Sequence, residues 1–147
     1  MMEKKYEALK LENQLCFPLY AASREVTKLY HPLLTDLNLT YTQYIVMMVL
    51  WETDPITEKE MGRRLHLDSG TLTPVLKSLE GKNFIVRSRS KEDERVVNVD
   101  LTDEGRALKD KAVDIPAQIG GCVKLDEEEA KALYGLLYKV LANLENE

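Results

Sequence analysis

The chain is short of the residues that most often announce chemistry, with two cysteines and two histidines in 147 positions. Cys16 and Cys122 form no CxxC pair, and only His31 and His66 could complete a metal site with them. That excludes a structural zinc centre, and no cofactor and no catalytic constellation is called for. Long apolar runs are also missing. The longest, Tyr44 to Trp51, has eight residues against the ~20 that cross a bilayer. The opening MMEKKYEALKLE has no apolar signal core, so a soluble, cytoplasmic protein without a membrane partner is expected. Seven glycines and five prolines rule out collagen-like or low-complexity sequence. What is present is 44% hydrophobic and 31% charged, enough for one ordinary core. No repeat or linker divides it, and a single domain over 1–147 is expected.

A net charge of -5 argues against a nucleic-acid partner, but the distribution does not. Between Arg63 and Arg95 eight Lys and Arg face five acids, a local +3 that leaves -8 for the remainder. One basic face on an acidic body is all that a DNA-binding surface needs.

Leu15, Leu19, Ala22, Val26, Leu29 and Leu33 step by three and four, the spacing of one face of a long helix. Asn13 is its expected N-cap, which puts Cys16 in the first turn and the helix end near Pro32 to Leu37. Thr40 and Gln43 fit a capping box before a buried helix, and Thr57 and Glu60 repeat the spacing before a short helix ending near His66. Asp68 caps a further helix with Leu72, Val75, Leu76 and Leu79 on one face, and Gly81 is the expected stop. The period then changes from 3.6 to 2. Phe84, Val86, Val97, Val99 and Leu101 are read as one face of a hairpin, with Ile85, Arg87, Arg89, Asn98 and Asp100 on the other and a charged tip between the strands. Thr102 opens a helix carrying Leu108, Ala112 and Ile115 inward, and Pro116 with Gly120 and Gly121 marks a break. A last helix starts at Asp126 and Glu129, with Ala130, Leu133, Leu137, Val140, Leu141 and Leu144 as its apolar stripe.

Helix, short helix, tight turn, capped helix and basic hairpin is the order of a winged helix-turn-helix, a mainly α fold with a small β-hairpin wing (α+β). The winged core is placed at about 40–101. A recognition helix enters the major groove and needs small polar side chains, and Ser69, Thr71, Thr73, Lys77 and Ser78 are available. The wing offers Arg87, Arg89, Lys91 and Arg95. Arg95 suits the narrow minor groove, where a guanidinium is favoured over a more strongly hydrated ammonium, and Asp93 could orient it. The helices at about 8–37 and 102–145 lie outside this core. Packed between two chains they give a two-fold homodimer on a pseudo-palindromic double-stranded operator.

The stretches DSGTLTPVLKSLE and RSRSKEDERVVNVDLTDEG closely resemble the multiple-antibiotic-resistance-regulator (MarR) family of dimeric winged-helix repressors. LENQLCFPLYAASREVTKLYHPLL and LTYTQYIVMMVLWE resemble its subgroup that represses organic-hydroperoxide resistance genes. The resemblance spans nearly the whole chain. It implies that Cys16 is a peroxide-sensing thiol, that Tyr30 and Tyr41 hydrogen-bond it across the dimer interface, and that Tyr20 lines the same pocket. Members with two cysteines carry a resolving thiol toward the C-terminus of the partner chain, a role that Cys122 would fill. Cys16 in a first helical turn has a physical reason to react, because the helix N-terminus and phenolic donors favour thiolate. The effector is then an organic hydroperoxide. A regulator answering to a small phenolic ligand or to general redox stress is the alternative, and a thiol peroxidase, for which a basic wing is surplus, a remoter one.

Overall fold

A computed structural model describes residues 2–145. The order is α1 (Met2–Tyr6), two 3-10 turns (Glu7–Leu9 and Leu11–Asn13), α2 (Cys16–Thr35), α3 (Tyr41–Glu52), β1 (Ile56–Thr57), α4 (Glu58–Leu65), α5 (Ser69–Gly81), β2 (Ile85–Arg89), β3 (Val97–Leu101), α6 (Asp103–Ala112), α7 (Ile115–Val123) and α8 (Glu127–Glu145). The contacts divide it into two compact units, one ending at Ile115 and the other beginning at Pro116. No helix among the described residues is long and apolar enough to cross a membrane.

The first unit is built around α3. Thr40 accepts from the Gln43 N–H while the Gln43 side chain accepts from the Thr40 N–H, the reciprocal box its spacing calls for. Val46, Met47 and Leu50 of α3 are fully buried with Leu34, Met61, Leu72, Leu76, Leu79, Ile85 and Val99. Because α3 contacts α2, α4, α5, α6 and β3, nearly every side of it is apolar, which is why that stretch shows no period. Side chains of Thr57, Asp68 and Thr102 cap α4, α5 and α6 from the expected positions. In the second unit Asp126 and Glu129 exchange side-chain and backbone bonds at the start of α8.

Several local expectations are corrected. Asn13 does not cap α2. Its amide donates to the Glu7 carbonyl at 2.8 Å, and Leu15 stands at the cap without a side-chain bond. Gly81 is the last residue of α5 rather than its left-handed stop; Asn83 takes that role with φ 65°, and Phe84 N–H returns to the Leu79 carbonyl at 3.1 Å. Gly120 and Gly121 lie inside α7, and the chain breaks before Pro116, at Val113 and Asp114.

The wing is a three-stranded antiparallel sheet in the order β1-β3-β2, not a bare hairpin. Ile85 lies opposite Leu101 and Arg87 opposite Val99, so Ile85 and Arg87 turn inward, while Arg89, in the same phase at the strand end, is exposed. The expected phase was the reverse: Ile85 is 1% exposed and Val86 49%. With Phe84, Ile85 and Val86 all apolar, alternation leaves two phases open, and pairing with β3 selects one. The stripes of α2 and α8 have the expected spacing, yet Leu15, Leu19, Leu29, Leu133, Val140 and Leu144 are exposed.

Candidate nucleic-acid interface and thiol site

Asp68 accepts from the Thr71 N–H at 2.8 Å and starts α5, while Leu72, Leu76 and Leu79 fasten its inner face. Its polar residues then part company. Ser69, Thr71 and Lys77 are exposed and make up the outer surface. Thr73 is half-buried and donates to Glu58 Oε1 at 2.9 Å, tying α5 to α4. Ser78 is exposed, but its oxygen accepts from Gln43 Nε2 at 2.8 Å. At about 3.6 residues per turn, Gly70 and Pro74 fall on the same outer arc as Lys77. Sequence reading missed both for this face, although a helical projection would have found them. Pro74 is exposed, so the hydrogen bond it removes lies on the solvent side and the buried side of α5 stays intact.

The wing basic residues also divide. Arg87 is drawn inward by its register: its backbone N–H donates to Glu80 Oε2 at 3.0 Å and its guanidinium to Glu80 Oε1 at 3.3 Å. Only 19% of that side chain is exposed, and it locks β2 to the end of α5 instead of reaching the tip. Arg89 donates to the Glu94 carbonyl at 2.7 Å across the loop. Lys91 is exposed at the turn. Arg95 projects 91% exposed, while Asp93 accepts from its backbone N–H at 3.0 Å and its Nε at 3.2 Å. The tip thus presents Arg95 in a fixed geometry, with Lys91 nearby in the same loop.

The Arg87 backbone N–H and then its guanidinium hold the Glu80 carboxyl below its usual value of 4.5. A carboxyl depressed in the folded chain stabilises above its unfolded pKa, and that contribution is lost as pH falls through the folded value. Glu80→Gln should therefore lower the melting temperature at pH 7 and show a smaller further loss than the parent as pH falls below 4.5. Parallel melting curves over that range would remove Glu80 as the clasp.

Cys16 is the first residue of α2 and is exposed, as is Cys122 in α7. Tyr20, one turn on, is 59% exposed and lies 5.5 Å from the Arg24 guanidinium carbon. Phe17 lines a groove of about 590 Å³ with Lys10, Leu11 and Glu12. Tyr30 and Tyr41 stand with ring centroids 4.9 Å apart, and Tyr44, which sequence reading passed over, joins them at 5.7 and 6.3 Å. Burial raises all three phenols, which keeps them protonated and able to donate. Along α2, Tyr30 lies fourteen positions beyond Cys16, about 21 Å of helix. One chain thus holds the thiol at the start of α2 and the Tyr30, Tyr41 and Tyr44 cluster toward the far end of that helix and the start of α3. No cluster of three or more metal-binding side chains occurs among the described residues.

A capped helix packed behind a short helix, followed by a sheet with a basic tip, defines a winged helix-turn-helix regulator of the MarR/SarA type. Residues 28–112 match the family model of the transcriptional regulators SarA/Rot. The chain belongs to that family. It is 54% identical over 143 residues to an organic hydroperoxide resistance transcriptional regulator of Bacillus subtilis, covering 97% of each chain. It is 42% identical over 120 residues to the regulator SarZ of Staphylococcus aureus, covering 82% of this chain and 81% of the relative. Among solved structures it resembles AbfR of Staphylococcus epidermidis. Against reduced AbfR bound to DNA it is 37% identical with a TM-score of 0.79, covering 97% of this chain and 99% of that one. Overoxidised AbfR is also bound to DNA, at a TM-score of 0.78 with 37% identity over 95% and 98% of the two chains. Against disulfide-formed AbfR the TM-score is 0.67, at 34% identity over 98% of each chain.

Proposed function

We propose that this chain is a DNA-binding transcriptional repressor that holds its operator while Cys16 is reduced and releases it when an organic hydroperoxide oxidises Cys16, derepressing peroxide-resistance genes. The observation that carries this reading is an exposed cysteine opening the long helix of a winged-helix chain so similar to a hydroperoxide-resistance regulator. The relatives are named as transcriptional regulators and not as enzymes, which weighs against peroxidase turnover. Such a regulator works in the cytoplasm, where the DNA is.

The working unit is a homodimer. Leu9, Leu11, Leu15 and Leu19 near the start of the chain, and Leu133, Leu136, Val140 and Leu144 of α8, are too many exposed apolar side chains to leave in water. The length of α2 gives a second reason: Cys16 reaches phenols such as Tyr30 and Tyr41 only if a partner chain brings its own. Two α5 helices related by a two-fold axis would read half-sites about 34 Å apart, hence a pseudo-palindromic operator in double-stranded DNA.

In the chemistry, the Cys16 sulfur attacks an oxygen of the hydroperoxide and the O–O bond breaks. The alkoxide leaves and is protonated to an alcohol, so sulfur is oxidised to sulfenic acid as the peroxide is reduced. The thiol of Cys122, coming from the partner subunit, then attacks that sulfur, forming the S–S bond with loss of water. AbfR is found on DNA in both its reduced and its overoxidised forms and also has a disulfide form, which favours the disulfide, rather than oxidation of the sulfur alone, as the releasing step. Mass spectrometry of peroxide-treated protein under non-reducing conditions tests the assignment. The expected product is a dimer linked through the Cys16 and Cys122 peptides, and oxidation confined to other residues would reject Cys16 as the sensor.

DNA contact is assigned to Ser69, Thr71, Lys77 and Ser78 on α5, with Thr73 and Arg87 supporting from behind, and to Arg89, Lys91 and Arg95 on the wing. Arg95→Ala should weaken binding to an operator selected in vitro about tenfold, a minor-groove contact of 1 to 3 kcal/mol in rough magnitude. Lys91→Ala should cost less and chiefly flatten the salt dependence by about one phosphate contact. Anisotropy titrations at two salt concentrations separate the two effects, and equal losses would remove Arg95 from the minor groove.

A further inference from the structure

We infer that Gln43, acting with Lys82, is a positioning residue that couples the tyrosine-bearing start of α3 to the recognition helix, so that the state of the thiol site is felt at Ser78. The inference rests on the redox reading above and extends it to residues outside both the thiol pocket and the DNA-contact set.

Gln43 is a buried polar side chain within an apolar core, 5% exposed. Its amide is shared among three parts of the fold. Nε2 donates to Ser78 Oγ at 2.8 Å, and Oε1 accepts from the Thr40 backbone N–H at 3.1 Å and from Lys82 Nζ at 2.7 Å. Lys82 Nζ also donates to the Asn38 carbonyl at 2.8 Å, in the turn where Asn38 is left-handed at φ 58°. The α2–α3 turn, the cap of α3 and the last turns of α5 therefore meet at one amide and one ammonium. Burial lowers the Lys82 pKa, because it takes the ammonium out of water.

Tyr41 is the first residue of α3, two positions before Gln43, and its ring leans on Tyr30. A pull on Tyr41 therefore acts on the same helical turn that carries the amide. Buried hydrogen bonds do not stretch far: beyond about 3.5 Å they are lost, and a buried amide left unpaired is costly. The start of α3 and the end of α5 must either move together or rearrange to a second set of partners, which is the discrete behaviour a switch needs. The readout lies at Ser78. Its oxygen accepts from the Gln43 N–H, which leaves its own proton available to an acceptor outside, such as DNA. An apolar residue would fill position 43 as well, but it could not set that hydroxyl.

The test compares operator affinity before and after cumene hydroperoxide for wild type, Gln43→Leu, Gln43→Glu and Lys82→Met, with melting curves and the rate of Cys16 oxidation by mass spectrometry. Wild type should show a reduced-to-oxidised ratio of about a hundredfold. In Gln43→Leu and Lys82→Met, Cys16 should oxidise at the wild-type rate while the ratio shrinks below about fivefold, because the reduced forms already bind more weakly. Gln43→Glu keeps both acceptor bonds but draws the Ser78 proton inward, so it should melt like wild type and still lose reduced-state affinity. Should Gln43→Leu fail to fold, Lys82→Met and Gln43→Glu carry the test. Wild-type ratios in Lys82→Met and Gln43→Glu would overturn the coupling alone, whereas a wild type that does not respond to peroxide would overturn the redox reading and this inference with it.

Discussion

Cumene hydroperoxide is expected to lower the operator affinity of the reduced protein about a hundredfold, and Cys16→Ser is expected to abolish that response while binding the operator as tightly as reduced wild type. A hundredfold change corresponds to ~2.7 kcal/mol of difference between the reduced and oxidised states. The amount is within reach of a new covalent link or of two or three rearranged buried hydrogen bonds, each worth ~1 kcal/mol. Cys122→Ser divides the possible causes. If the disulfide drives release, this variant stops at sulfenic or higher acids and keeps its DNA; if sulfenic acid suffices, it releases like wild type. Gel mobility shift with all three proteins, treated and untreated, gives the answer. Equal release by wild type and Cys16→Ser would end the sensing role of that thiol.

The second large effect concerns the fold that holds the wing. Gly105→Ala should destabilise the chain by about 3 kcal/mol, at or above the upper end of ordinary overpacking, and lower its melting temperature by roughly 10 °C. A Cβ at Gly105 would collide with the Phe84 carbonyl oxygen and lie 3.1 Å from Leu101 Cδ2. That oxygen cannot retreat freely, since it accepts from the Thr102 N–H at 3.1 Å, and the Gly105 carbonyl is itself held by Trp51 Nε1 at 2.9 Å. The first turn of α6 is thus pressed against the start of β2, backbone to backbone, and a methyl group has no flexible side chain to push aside. Gly81→Ala is the control. Nothing lies within 4 Å of the Cβ it would add, its φ is not positive, and alanine within a helix should raise stability slightly. Thermal denaturation of the two variants should move in opposite directions, and a Gly105→Ala protein melting within 2 °C of the parent, against the roughly 10 °C expected, would show that the contact gives way cheaply.

Much of this architecture could be read from short-range rules. Thr40, Thr57, Asp68, Thr102 and Asp126 cap helices in the structure at the positions their spacing announces, because a cap needs only a side-chain oxygen within three residues of a free N–H. The same rules failed where the partner lies outside the three-residue capping window. Asn13 had the chemistry of a cap but found the Glu7 carbonyl instead. β1 is two residues long, too short for any alternation, and exists because Ile56 and Thr57 meet Val99 and Asn98. Arg87 looks like its basic neighbours in the sequence, and only its place opposite Val99 turns it toward Glu80.

Local spacing and residue chemistry were thus enough to establish the order of helices, the capped helix α5, the charged wing and the cysteine at the head of a long helix. Each of these depends on atoms within one or two turns of each other, and that information is written along the chain. Which side of β2 faces inward, which hydroxyls of α5 are tied from behind, and that Gln43 and Lys82 join α3 to α5 were decided by three-dimensional packing. The physical reason is that strand register and buried hydrogen bonds pair groups far apart in the chain, such as Gln43 with Lys82 and Trp51 with Gly105, where no local period can point from one partner to the other.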